Sequence, residues 1–131
     1  MYRKDLITAE IEKLAQVLAK IMGLKIELKL DEADQLLSET LMNSFALPIA
    51  TLYSADGSTF EKWLADINLP AEKLDMLSQF IFDQLDAQNE NGSNKILSQN
   101  LSLIYQTLAN KHHIVHLAHL DRSKIIKQYL F

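Results

Sequence analysis

Leu24-Lys25-Ile26-Glu27-Leu28-Lys29-Leu30 alternates apolar and charged side chains with a period of two, the pattern of a half-buried β-strand. No second stretch pairs with it, and a lone strand leaves its backbone N–H and C=O groups unsatisfied. The segment therefore reads as an extended link or a distorted helical turn, and the class turns on its flanks. Before it, over about residues 3–22, Ile7, Ile11, Leu14, Leu18 and Ile21 recur at a 4-3-4-3 spacing, with Arg3, Glu10, Glu12, Lys13, Gln16 and Lys20 mainly on the remaining faces. That is one apolar stripe on a helix. After it, Asp31 opens a second helix to about Ala46 with Ala33, Leu37, Leu41 and Phe45 on one face; Asp31, Glu32 and Asp34 suit the positive end of its dipole.

The remaining chain follows the same logic. Gly23, Pro48, Gly57, Pro70 and Gly92 fall between the periodic segments, so breakers and periodicity agree. Ser58-Thr59-Phe60-Glu61 has the form of a capping box for a short helix carrying Phe60, Trp63, Leu64 and Ile67 inward. Pro70 suits the first turn of a fourth helix to about Gln88, with Leu74, Leu77, Ile81 and Leu85 on one face. A turn at Asn89–Gly92 precedes a fifth helix, about Asn94 to His112, along which Leu97, Leu101, Ile104 and Leu108 align. A last helix is expected near Asp121, where Leu120 and Ile125 stand as a hydrophobic staple. The expectation is an all-α single domain over residues 1–131, with five to six helices packed as antiparallel helical hairpins.

Composition narrows the function. The chain has 131 residues, of which 48% are apolar and 23% charged, and no cysteine. The absence of thiols excludes disulfide scaffolds, thiol nucleophiles and Cys-ligated zinc or iron–sulfur centres. Phe45 to Tyr53, the longest nearly apolar run, is far too short for a membrane span and contains Pro48. Met1-Tyr2-Arg3-Lys4-Asp5 leads into charged amphipathic sequence with no signal-peptide pattern, so a cytoplasmic protein without membrane contact is expected. Asp86-x-Gln88-x-Glu90-x-Gly92 only mimics a calcium loop, since the glycine comes one place late and Leu97 stands at the closing carboxylate position. No Gly-rich phosphate loop and no Ser-His-Asp grouping emerges, and the expectation is a non-enzymatic protein without a cofactor.

Asp5-Leu6-Ile7, Ile11-Glu12, Leu14 and Leu18-Ala19-Lys20-Ile21, with Asp31-Glu32-Ala33, Lys73-Leu74, Leu77 and Leu103-Ile104-Tyr105-Gln106-Thr107-Leu108, resemble a family of short uncharacterised bacterial helical proteins. The resemblance implies a helical array ending in a tetratricopeptide-like hairpin, with Leu101, Tyr105 and Leu108 at the 4-3 spacing of such a second helix. It implies no activity and no catalytic residue.

Three features bear on what the chain contacts. All four histidines lie in His112-His113-Ile114-Val115-His116-Leu117-Ala118-His119. On a continuous helix, His112, His116 and His119 share a face at i, i+4 and i+7, a spacing that presents imidazoles to zinc or nickel, with Asp121 in support. The zincin arrangement fails because His113 stands where its glutamate is needed, and the alternative is a solvated, histidine-rich helix end. Charge is divided: residues 1–92 carry eight Lys/Arg against sixteen Asp/Glu, and residues 93–131 carry five against one. That asymmetry suits docking of an acidic partner, or packing of the basic part against the acidic body of its own fold or of a second copy; with a net charge of −4 and no aromatic-basic motif, nucleic acid is not the expected partner. Phe82 beside an already complete stripe, and Tyr129-Leu130-Phe131 at the end, are candidate partner-binding residues. Together these features suggest a protein-protein interaction module or adaptor, its partner another protein or a second copy in a homodimer. The alternative is a histidine-rich metal-binding or metal-sensing protein.

Overall fold

A computed structural model describes residues 2–86 and 92–130 of the chain, with side chains described from Leu6 onward. Every regular element among the described residues is helical: α1 (Tyr2–Ile26), α2 (Leu30–Phe45), α3 (Ile49–Leu52), α4 (Gly57–Ile67), α5 (Ala71–Phe82), α6 (Ser93–Asn110) and α7 (Leu117–Lys127). The all-α expectation holds. The described helices number seven rather than five to six, because the single turn of α3 has too few residues to show a period. The turn expected at Asn89–Gly92 and the calcium-loop mimic fall largely outside the described residues, as does Phe131. The chain groups into two compact units, Met1–Ile49 and Ala50–Phe131.

In the first unit α1 packs along α2. The deciding stretch is helix, then turn: α1 runs through Gly23 to Ile26, so Gly23 lies inside a helix rather than closing one. Leu28 takes φ 63°, its N–H donates to the Lys25 carbonyl, and the Lys29 N–H donates to the Leu24 carbonyl at 2.8 Å. This is a Schellman closure with leucine where glycine is usual. It explains the false strand signal. Ile26, Leu28 and Leu30 are all exposed, so the alternation never separates a buried face from a wet one. α2 buries Ala33, Leu37, Leu41 and Phe45, the stripe read from the sequence. Each large member contributes roughly 1.5–3 kcal/mol by leaving water.

In the second unit α6 is central, packing against α4, α5 and α7. It buries Leu97, Leu101, Ile104, Tyr105 and Leu108. Asn100, also buried, donates from Nδ2 to the Leu52 carbonyl at 2.8 Å. Three helix ends differ from the sequence reading. α4 is capped by Asp56 rather than Ser58. The Asp56 carboxylate accepts from the Ser58 N–H at 3.0 Å and the Ser58 hydroxyl at 2.7 Å, which occupies the hydroxyl expected to cap. Those bonds hold the Asp56 carboxyl below its ordinary pKa. α5 ends at Phe82, short of Gln88, because its last amides turn to i−3 carbonyls and the Asn94 carboxamide clamps both the N–H and the C=O of Asp86. α7 starts at Leu117, so Asp121 is an interior residue and not a cap, and Leu120 and Ile125 stand exposed rather than stapled.

Candidate functional site

α7 returns onto α5 and α6 through a short link, residues 111–116, in which His113 adopts φ 57°. The Ile114 N–H donates to the Leu108 carbonyl and closes the end of α6. This turn removes the premise of the metal reading: His112, His116 and His119 do not continue one helix, and the i, i+4, i+7 face does not form. Among the described residues no group of three or more His, Asp or Glu side chains could hold a metal ion. His116 and His119 meet ring edge to ring face at 4.9 Å, while His112 Nε2 is buried without a hydrogen-bond partner.

His119 instead belongs to a polar cluster that joins three helices. It is 4% exposed, on the inner face of α7 with Ile126. A carboxylate oxygen accepts, so the His119 Nε2–H donates to Asp75 Oδ1 of α5, at 2.6 Å. Its ring stacks on Tyr105 of α6 with centroids 4.9 Å apart. The Tyr105 hydroxyl is buried and makes no hydrogen bond of ordinary geometry. Burial pushes its pKa up, the nearby Arg122 guanidinium and the Ser78 hydroxyl pull it back, and the Asp75 charge adds to the rise. Arg122 also lies over the Phe82 ring, 5.4 Å from its centroid. Phe82 is therefore half-buried under a guanidinium rather than an open apolar patch, and Tyr129 is likewise half-buried past the end of α7.

Above this cluster runs a groove of about 270 Å³ between α6 and α7. Tyr105 and His119 line it with the apolar Ala109, Ile114, Val115 and Leu120. Val115 and Leu120 remain 61% and 49% exposed, and neighbouring Leu117 81%. Gln106 and Asn110 of α6 stand at its rim and also border a second depression, of about 480 Å³, on the α4 side of the helix.

Sequence reasoning missed Asp75, Arg122 and this pair of carboxamides. Two signals were present. Asp75 interrupts Leu74-Asp75-Met76-Leu77, and α6 spends eighteen residues with Lys95 as its one charged side chain. No family model matches the chain, and no curated protein or solved structure shows significant similarity to it.

Proposed function

We propose that this chain is a non-enzymatic protein-interaction module that recognises its partner, another protein or a second copy, at the α6–α7 face. The observation that carries the reading is the run of exposed aliphatic side chains at Val115, Leu117 and Leu120 beside a formed groove. Single exposed leucines are ordinary, but Val115 and Leu120 line one concavity and the exposed Leu117 lies between them in sequence, the kind of patch that partners cover. The base of the groove is fixed by the Asp75–His119 bond and the Tyr105 stack, so a partner meets a preformed surface. Support for a tetratricopeptide-like C-terminal part is narrower: Leu101, Tyr105 and Leu108 are all buried along α6, which packs against α5.

The test is affinity capture at native expression level with mass spectrometry, run beside a Val115→Asp/Leu120→Asp double variant. Both positions are exposed, so the fold should survive, as circular dichroism would check. Near-stoichiometric partners lost from the variant support the reading. Identical recovery from both proteins refutes it.

A further inference from the structure

Resting on that reading of the face, we infer that its occupant is an extended, acidic peptide segment of a partner protein, whose main chain is read by Gln106 and Asn110. Gln99, Gln106 and Asn110 recur at i, i+7 and i+11, one exposed row along α6. Carboxamides present donors and acceptors together, as does the edge of an extended polypeptide. A partner helix has its own main-chain groups already paired and gains little from such a row. Among the described residues neither Gln99 nor Asn110 gives its carboxamide to another protein group, and Gln106 reaches only the Ser102 hydroxyl, at 3.3 Å on the surface. The row therefore stands ready for an outside backbone.

The opposite rim supplies the sign of the charge. Leu120 and Ser123 of α7 line the groove, and helical periodicity continues that edge into the exposed Lys124 and Lys127, at i+4 and i+7 from Leu120. Lys111 borders the adjoining depression, but its Nζ donates to Asn68 Oδ1 and Glu61 lines the same depression, so the sign of the charge comes from Lys124 and Lys127. The occupant that satisfies both rims places an aliphatic side chain against Ile114, Val115 and Leu120. It lays its amides along Gln106 and Asn110, and sets carboxylates toward Lys124 and Lys127.

The experiment pans a random phage-displayed peptide library on the full chain and measures the recovered peptides, resynthesised, by fluorescence anisotropy. The expected peptides combine an aliphatic residue with Asp or Glu and lack helical periodicity. Affinity should fall roughly tenfold or more in Gln106→Ala/Asn110→Ala, the loss of about two hydrogen bonds, and on N-methylation of the peptide backbone beside the aliphatic anchor. Lys124→Gln/Lys127→Gln should weaken binding most at low salt. Recovery of no peptide, of basic peptides or of helical ones overturns the inference. So does affinity indifferent to the carboxamide variant, or a dimer of the chain in sedimentation that the carboxamide variant dissolves. Sensitivity to Val115→Asp/Leu120→Asp without sensitivity to Gln106→Ala/Asn110→Ala leaves the interaction face standing and removes only the extended-peptide occupant. Indifference to both removes the face.

Discussion

Replacing Asp75 with alanine tests how α7 is held. His119 is 4% exposed, and its Nε2–H has the Asp75 carboxylate at 2.6 Å as its partner. Asp75→Ala leaves that donor buried and unpaired, at a cost of about 1–3 kcal/mol. The reverse deletion differs in kind. The Asp75 side chain is 30% exposed and can return to water, so His119→Ala strands no charge. It does forfeit the bond together with the Tyr105 stack, and is expected to cost about 2–4 kcal/mol. Asp75→Asn keeps an acceptor oxygen in place and should cost less than Asp75→Ala. Urea unfolding followed through the single tryptophan, Trp63 of α4, reports on the unit that contains the cluster. Amide hydrogen exchange over Leu117–Lys127 reports on α7 itself, where His119 and Ile126 are the buried anchors. The expected signature is a double-mutant coupling near 1 kcal/mol or more and faster exchange in α7 ahead of global unfolding. An Asp75→Ala protein within about 0.5 kcal/mol of wild type, with unchanged exchange in α7, would refute the anchoring argument.

Tyr105 gives a pH test. Its folded pKa is raised by burial, so the fold favours the protonated phenol; its contribution is complete below the unfolded value of about 10 and is lost as pH rises through the folded one. Alkaline unfolding should accordingly be less steep in Tyr105→Phe, and ultraviolet titration should lose one tyrosine that ionises above the ordinary range. At neutral pH the same variant removes a hydroxyl without a well-formed bond and should leave stability nearly unchanged. The α1–α2 turn gives another. Gly23 is helical, and a Cβ there would meet nothing within 4 Å, so Gly23→Ala should stabilise by about 0.5–1 kcal/mol in thermal melts. Leu28→Gly, at φ 63°, should also stabilise, and destabilisation by either would contradict the helix-then-turn reading of that stretch.

Local repetition alone was enough to make this protein all-α. The 4-3 spacing of Ile7 to Ile21, the stripe from Ala33 to Phe45 and the row Leu97, Leu101, Ile104 and Leu108 each encode which side of a helix faces inward; the last two are buried throughout, and the first at Leu14 and Ile21 with Ile7, Ile11 and Leu18 half-buried. Helix ends were less legible, because caps are contests between neighbours. Asp56 displaced Ser58 by accepting its hydroxyl, and Leu28 closed α1 in a conformation usually left to glycine. The histidine cluster misled for a related reason: a non-helical link, with His113 left-handed and His116 extended, takes the imidazoles off a common face, and no period announces it. What stands opposite His119 lay beyond any local pattern. Asp75 is 44 positions away, and the bond exists because α5 and α7 pack on the same helix. The groove rims arise likewise, from residues of two helices. Side-chain periodicity is fixed within a few residues of chain, whereas a hydrogen bond or a groove between helices depends on where long-range burial brings those helices to rest.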